Sequence, residues 1–237
     1  MWGEGCSARM DATSILRAAP ERRSAKPGPP QIQNKMTNLG KSRKLYLASG
    51  NAGKLNEFRV LAAASGGDWE LELLPGFTDI AEFEESASTF AENAAGKAFY
   101  YSRECNGTVF ADDSGLVVPA LGGAPGVLSA RYAGPGASNE QRIAKLLGEM
   151  KGLAGAERGA YFVCVIAAVL KGRALAVVSE KVDGEILDAP RGTGGFGYDP
   201  AFFFPPLGRT FAELRPEEKS RYSHRGKAFR RLLEALG

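Results

Sequence analysis

The chain has little of three things that would point to a particular class of protein: cysteine, histidine and long apolar runs. Three cysteines, Cys6, Cys105 and Cys164, are spread over 237 residues, so they form neither a disulfide framework nor a metal-ligand cluster, and they suit a reducing compartment. The longest apolar run, at residues 161–170, is far shorter than the roughly 20 residues of a membrane span. We therefore predict a cytoplasmic protein with no membrane partner.

Net charge is also small, and its distribution argues against nucleic-acid binding. The formal charge is +3, but residues 1–43 hold eight basic and three acidic residues, which leaves 22 basic and 24 acidic residues for the rest. The basic character therefore comes from the first 43 residues. The basic pI is thus poor evidence for nucleic-acid binding by the folded part, and we predict no nucleic-acid partner.

Residues 1–43 differ from the remainder in having scattered prolines and no sustained apolar period. Three interpretations compete: a disordered tail, a targeting segment, or an upstream extension in which Met36 is the natural first residue. The absence of an apolar core segment argues against a secretory signal, whereas an organellar transit peptide fits loosely. We favour a dispensable extension at 1–43 and one domain at 44–237.

From residue 44 onward the apolar pattern alternates between strand and helix periods. It predicts strands at 44–49, 69–74, 108–118, 160–170 and 173–186, and helices at 54–64, from 89 to about 107, at 139–150 and at 224–236. The strand that begins at Thr108 is predicted to run into an acidic turn at Asp112 and Asp113. The second helix carries Asn93 and Lys97 on its apolar face. Mixed strands and helices predict an α/β fold with one central sheet.

The loop Ser49-Gly50-Asn51-Ala52-Gly53-Lys54 lies between the first strand and the first helix and nearly matches a phosphate-binding loop. The Walker A pattern requires a Gly where Ala48 stands and a Ser or Thr where Leu55 stands. Small residues before a helix still allow backbone N–H groups to bind an anion, and Lys54 adds a charge. An ordinary strand-to-helix turn is the alternative.

Two acidic segments could hold a metal ion. Asp112 and Asp113 are adjacent, so their side chains point in different directions, and a plain Asx turn is the alternative for them. Glu84 and Glu85 lie in an acidic loop that could equally be a solvated surface. Because Mg²⁺ is usually held by one or two carboxylates plus substrate phosphates, one carboxylate from each segment would suffice.

Two later segments could contact a nucleotide. Residues 191–204 combine four glycines with Phe196 and Tyr198, so the backbone can approach a ligand while an aromatic ring stacks on a base; a structural loop is the alternative. Residues 218–228 hold the single histidine, His224, beside Arg225 and close to Lys219. A lone histidine is more often structural, but these donors suit a keto oxygen, a ring nitrogen or a phosphate.

The order of six motifs resembles a known family. The series S-G-N-x-x-K, E-E-S-x-x-T-F-x-E-N-A, A-D-D-S-G-L, G-G-A-P-G-x-x-S-A-R-Y, G-T-G-G-F-G-Y-D-P and E-K-S-x-x-S-H-R-G spans about residues 44–236. It resembles the inosine triphosphate pyrophosphatases, also called XTP/dITP diphosphatases. Family members often have Thr where Ser49 stands and Gly where Ala87 stands.

The resemblance implies an elongated single α/β domain, a central mixed sheet flanked by helices, a nucleotide cleft and a homodimer. It implies Mg²⁺-dependent hydrolysis of ITP, dITP and XTP to the monophosphate and pyrophosphate, with Asp113 as general base. The implied metal ligands are Glu85, Asp112 and Asp113. The implied substrate contacts are Ser49, Gly50, Asn51, Ala52, Gly53, Lys54, Ser114, Phe196, Gly197, Tyr198, Asp199, Lys219, His224 and Arg225.

The implied chemistry suits these residue types. Mg²⁺ and Lys54 would neutralise phosphate charge, Asp113 would accept a proton from water attacking the α-phosphorus, and no Cys or Ser nucleophile is needed. Arg225 and His224 would donate to the C6 oxygen of inosine or xanthosine, which adenine lacks. Two alternatives remain: a pyrophosphatase with other nucleotide substrates, and a nucleotide-binding module without catalysis.

Overall fold

The computed structural model describes residues 43–237. The predictions for residues 1–42, including those for Cys6 and Met36, lie outside this part of the chain. Seven strands form one sheet in the order β2-β1-β3-β4-β5-β6-β7. They are β1 Arg43–Leu47, β2 Trp69–Leu73, β3 Thr108–Val117, β4 Gly159–Leu170, β5 Arg173–Ile186, β6 Phe202–Phe204 and β7 Arg209–Thr210.

Five α-helices accompany the sheet in the same part of the chain. They are α1 Ala52–Ala64, α2 Phe90–Tyr101, α3 Asn139–Glu149, α4 Pro216–Tyr222 and α5 His224–Leu236. Strand β1 is parallel to both β2 and β3, whereas the remaining pairs are antiparallel. The predicted mixed α/β sheet is thereby confirmed. No helix within residues 43–237 has the length and apolar character needed to cross a bilayer.

The alternation of side chains along β3 assigns helices to the two faces of the sheet. Phe110 packs with Phe58 of α1 and Phe229 of α5 on one face. The neighbouring Ala111 lies in a separate apolar cluster with Ala94 and other residues of α2, on the opposite face. Successive residues of a strand point to opposite faces, so adjacent side chains of β3 enter different environments.

The short first strand leaves part of β3 without a neighbour on one side. The β1–β3 ladder pairs Leu45 with Thr108 and ends where Leu47 pairs with Phe110. Strand β3 continues to Val117, and on its other side it pairs with β4 throughout. The edge of β3 beyond Phe110 is therefore open to a cleft instead of to another strand.

Three details differ from the sequence prediction. Asp112 and Asp113 do not form a turn, because β3 runs through them and pairs them with Ile166 and Val165 of β4. Helix α2 ends at Tyr101 and not near Gly107, and a short 3₁₀ turn follows it. The α4 helix was not predicted; it has only seven residues and begins at a proline, too short a stretch for a periodic signal.

Candidate active site

A cleft of about 810 Å³ lies along the open edge of β3. Fifteen of the seventeen residues predicted to form the site line it, although they come from segments distant in sequence. They are Ser49, Gly50, Asn51, Gly53, Lys54, Glu85, Asp113, Ser114, Phe196, Gly197, Tyr198, Asp199, Lys219, His224 and Arg225. The two that do not line it are Ala52, the first residue of α1, and Asp112.

The loop before α1 is shaped by its own polar side chains. Asn51 is the N-cap, and its Oδ1 accepts the backbone N–H of Lys54 at 3.1 Å. The Ser49 hydroxyl accepts the N–H of Asn51 at 3.2 Å. A Cβ on Gly53 would lie 2.9 Å from the ring of Phe196, so glycine lets this loop approach the glycine-rich loop. The loop thus brings the N-terminus of α1 to the cleft, where the helix dipole favours an anion.

Asp112 is buried on the face of β3 that α1 and α5 cover. Its Oδ2 lies 3.0 Å from Lys54 Nζ and 3.6 Å from Arg225 Nε, and it accepts the Ser114 hydroxyl at 3.2 Å. Burial by itself would raise the pKa of Asp112, but Lys54 and Arg225 lower it to about 2. The structure therefore separates Asp112 from the other expected metal ligands and places it in ion pairs.

These ion pairs extend into a chain of alternating charge beside the cleft. Arg225 and Lys219 both contact the Glu57 carboxylate, and Lys219 Nζ also lies 2.6 Å from Asp199 Oδ2. Three cations thus alternate with three carboxylates, in the order Lys54, Asp112, Arg225, Glu57, Lys219, Asp199. Each buried charge thus faces an opposite one, which offsets part of the cost of its desolvation.

Glu57 was missed by the sequence analysis. It lies one turn after Lys54 on α1 and therefore on the same side of that helix. Burial opposes ionisation of its carboxyl group, yet Arg225 and Lys219 hold the pKa of Glu57 below its usual value. The spacing of Glu57 from Lys54 could have indicated that both face the same side of α1. Its ion-pair partners, however, are more than 160 residues away in sequence, so no local pattern connects them to it.

Asp113 lies on the other face of β3, against α2, and its carboxylate lines the cleft. Its Oδ2 accepts the Asn93 amide at 3.0 Å, and its Oδ1 accepts the Ser114 N–H at 2.9 Å. Burial raises the pKa of Asp113, the direction that makes a carboxylate a stronger base. Of the two adjacent aspartates, Asp113 is the one that lines the cleft.

Glu85 and Lys97 face the cleft near Asp113. Their side chains form an ion pair, and Lys97 Nζ also lies 3.4 Å from the backbone oxygen of Asp112. Glu84 is exposed and is not among the residues that line the cleft. The sequence analysis assigned Lys97 and Asn93 only to a helix face. Asn93 stands in the second family motif, but neither residue was predicted to belong to the site.

The carboxylates in the cleft fit a hard divalent cation. No group of three or more His, Cys, Asp or Glu side chains within residues 43–237 has the arrangement to hold a metal on its own. Mg²⁺ needs only one or two protein carboxylates when substrate phosphates complete its shell. Glu85 and Asp113, which line the same cleft, provide two.

His224 begins α5 beneath the cleft and is almost fully buried. Its ring stacks on Phe162, with centroids 4.7 Å apart and an interplanar angle of 12°. Burial, together with the charges of Arg225, Lys219 and Lys54, lowers the pKa of His224 well below 6.5. The imidazole is therefore neutral, with one donor and one acceptor, and it adds no positive charge to the cleft.

This burial predicts a specific dependence of stability on pH. His224 is the only histidine, and it is protonated more readily in the unfolded chain than in the folded one. The unfolded state then binds more protons as pH falls below about 6.5, so the free energy of unfolding should fall by up to about 1.4 kcal/mol per pH unit. Urea unfolding between pH 5 and 8 measures this slope.

The variant His224→Phe provides the control, because an aromatic ring can retain the stacking on Phe162 without titrating. Its free energy of unfolding should change less between pH 5.5 and 7.5 than that of the wild type. Equal slopes in the two proteins would contradict a depressed histidine pKa.

Comparison with known proteins identifies the family to which this chain belongs. The model of the Ham1 family matches residues 45–235. The dITP/XTP pyrophosphatase of Geobacillus kaustophilus is 50% identical over 192 residues, which are 81% of this chain and 93% of the relative. A dITP/XTP pyrophosphatase of Thermus thermophilus is also 50% identical over 192 residues, 81% of this chain and 91% of the relative.

Solved structures agree with the sequence comparison. A HAM1 protein from Coxiella burnetii matches with a TM-score of 0.72 and 40% identity, covering 81% of this chain and 98% of that protein. The Staphylococcus aureus Ham1 protein matches with a TM-score of 0.71 and 40% identity, covering 82% and 100%. The family resemblance of the six motifs is thus confirmed, and the chain belongs to the Ham1 family.

Proposed function

We propose that this protein hydrolyses ITP, dITP and XTP to the nucleoside monophosphate and pyrophosphate. The observation that carries the proposal is one cleft that joins an anion-binding helix N-terminus, two carboxylates suited to a cation and an aromatic ring beside polar donors. The relatives named dITP/XTP pyrophosphatase support the choice of substrates.

The phosphates would bind where α1 begins. Backbone N–H groups of residues 49–54 and the helix dipole favour an anion there. With Asn51 Oδ1 occupied as the cap, its amide hydrogens are the part of the side chain able to donate to a phosphate. The Lys54 ammonium group, which pairs with the Asp112 carboxylate, adds positive charge on one side of β3. The Lys97 ammonium group, which lies by the Asp112 backbone oxygen, adds it on the other side.

Hydrolysis would rest on Asp113. Its carboxylate accepts hydrogen bonds from Asn93 and from the Ser114 N–H, which orient it, and it would take a proton from the water that attacks the α-phosphorus. Glu85 and Asp113 would hold Mg²⁺, which supplies charge neutralisation at the phosphate oxygens when bound. Positioning and charge stabilisation are sufficient for this reaction without a covalent intermediate.

The base would bind near Phe196. Lys219 Nζ and the Arg225 guanidinium lie 4.6 and 5.2 Å from the centre of the Phe196 ring, and the neutral His224 also lines this region. Donation from His224 and Arg225 to a C6 oxygen would favour inosine and xanthosine over adenine. Arg225 would contact the base in addition to its other partners, because it also binds Glu57 and donates to the Ser114 hydroxyl at 2.8 Å.

One assay tests the reaction and the substrate class together. Purified protein with Mg²⁺ is given ITP, XTP, GTP, ATP or dTTP, and pyrophosphate and orthophosphate are measured separately. We expect pyrophosphate from ITP and XTP at rates far above those with ATP. Orthophosphate alone would contradict attack on the α-phosphorus, and equal rates with ITP and ATP would contradict selection by His224 and Arg225. No turnover of any nucleotide would favour a binding module without catalysis.

We further propose a cytoplasmic homodimer. The family resemblance supports the dimer, and so do large apolar side chains that remain exposed on one chain, including Leu175 and Val177 on β5 and Phe99 on α2. Light scattering coupled to size-exclusion chromatography measures the mass directly. The expected result is twice the chain mass of 25.2 kDa.

The N-terminal extension is proposed to be dispensable. The family model begins at residue 45, and the motifs that form the cleft all lie beyond it. Deleting residues 1–35 should change kcat/KM for ITP by less than about twofold, because the family match and the motifs of the cleft all lie beyond the deleted residues. A truncated chain that no longer folds would contradict this expectation.

A further inference from the structure

The acidic loop at residues 80–87 contains no helix or strand, so other groups must hold Glu85 over the cleft. Within residues 43–237, three side chains outside the loop form hydrogen bonds with its backbone. The Tyr101 hydroxyl accepts the Phe83 N–H at 3.1 Å, and Arg131 donates to the Glu85 carbonyl oxygen at 2.8 Å. The third is Asn93.

Asn93 differs from the other two because it also reaches the proposed base. Its Oδ1 accepts the Ala87 N–H at 3.0 Å, and its Nδ2 lies 3.4 Å from the Ala87 carbonyl oxygen. The same Nδ2 donates to Asp113 Oδ2 at 3.0 Å. An amide nitrogen has two hydrogens, so one can serve each oxygen. Asn93 is 1% exposed, and its amide is thus fully engaged between the loop and β3.

We propose that Asn93 is a positioning residue that sets the Glu85 loop and Asp113 at the spacing needed for both carboxylates to bind one divalent cation. The inference rests on the proposed function, in which Glu85 and Asp113 hold that cation. The loop and β3 are separate segments, and the Asn93 amide bonds directly to both. Residues that orient metal ligands through hydrogen bonds typically matter about 10–100-fold for metal affinity.

The chemistry of the site selects asparagine. Two of the three partner atoms are oxygens that need a donor, and the third is an N–H that needs an acceptor. Aspartate would direct an acceptor at both the Asp113 carboxylate and the Ala87 carbonyl. Serine or alanine at this position is too short to bridge them. A primary amide on the short asparagine stem supplies the donors and the acceptor together.

The test measures metal binding without turnover. Mn²⁺ replaces Mg²⁺ as a paramagnetic probe, and the nucleotide is an ITP analogue with an imido bridge between the α- and β-phosphorus. Electron paramagnetic resonance gives the Mn²⁺ affinity of the protein–nucleotide complex. We expect Asn93→Ala to weaken Mn²⁺ binding at least about tenfold, whereas its affinity for the analogue in EDTA changes less than about twofold. Activity with ITP should show a raised Mg²⁺ requirement.

Thr89→Ala is the matched control. Thr89 is exposed and caps the same helix by accepting the Glu92 N–H at 3.2 Å, so its loss perturbs α2 without touching Asp113 or Ala87. It should leave Mn²⁺ affinity unchanged. Should Asn93→Ala fail to fold, Asn93→Ser is measured in the same way, because its hydroxyl retains a polar group in the cavity.

The outcomes separate this inference from the proposed function. Wild-type Mn²⁺ affinity in a folded Asn93 variant overturns the inference, as does an equal loss of affinity in Thr89→Ala. So does a tenfold loss of analogue binding in EDTA, since it would indicate general disruption of the cleft. Failure of the wild-type protein to cleave ITP would instead overturn the proposed function, whatever the variants do.

Discussion

Replacing Asp113 with asparagine is expected to lower kcat for ITP by about 10²–10⁴-fold, the usual contribution of a general base. The substitution keeps the size of the side chain and an oxygen that can accept from Asn93 or from the Ser114 N–H, so the fold should be retained. Because burial already disfavours the charged form of Asp113, a neutral side chain should cost little stability. Steady-state kinetics and thermal unfolding of the same preparation measure both quantities.

The conclusion from this variant depends on which quantity changes. Lost turnover with an unchanged unfolding temperature supports Asp113 as a catalytic residue, whether as base, as Mg²⁺ ligand or as both. Normal turnover would remove it from that role. If kcat and stability fell together, the effect of Asp113 on the fold would have to be separated from catalysis by measuring analogue binding.

Replacing the neighbouring Asp112 with asparagine should, in contrast to Asp113→Asn, cause a large loss of stability. Removing one partner of a buried ion pair typically costs about 3–5 kcal/mol, because the remaining charges stay buried and uncompensated. Arg225 is buried but would keep its ion pair with Glu57, and the side chain of Lys54 is partly exposed to the cleft. We therefore expect a loss at the lower end of that range, about 3 kcal/mol, measured by urea unfolding at pH 7.

Glu180→Gln is the matched control, since it removes a carboxylate from an ion pair with Arg231 at the protein surface. Exposed pairs contribute about 0–1 kcal/mol, so this variant should be close to wild type. A loss below about 1 kcal/mol in Asp112→Asn, together with weaker Mn²⁺ binding, would contradict the structural role. It would return Asp112 to the metal ligands, as the sequence analysis had expected.

Much of the fold was predictable because its elements carry strong local signals. The long strands β4 and β5 were predicted within one residue, since they are extended apolar or alternating stretches separated by Lys171-Gly172. Helix α3 was predicted to begin at residue 139, and it begins there in the structure, after a capping box formed by Ser138 and Gln141. The end of α2 was predicted too late in the sequence, because nothing in the local pattern distinguishes its last turn from the 3₁₀ turn after it.

The site was predictable as a set of residues but not as an arrangement. Ordered motifs identified Lys54, Glu85 and Asp113, all of which line the cleft. Glu57 stands in no motif, and Asn93, although it belongs to the second motif, was expected only on a helix face. Their roles arise from partners brought close by folding. His224 was expected as a donor among cations, whereas burial against Phe162 makes it neutral.

The sequence by itself determined the family, the α/β class and the segments that form the cleft, because periodicity and motif order are properties of neighbouring residues. Only the tertiary structure decided which of the two adjacent aspartates faces the cleft. The pleat of β3 separates Asp112 from Asp113, and the packing of α1 and α5 on one face and α2 on the other gives them different partners. Cations neutralise the first, and the end of the β1 ladder at Phe110 leaves the second beside an open edge.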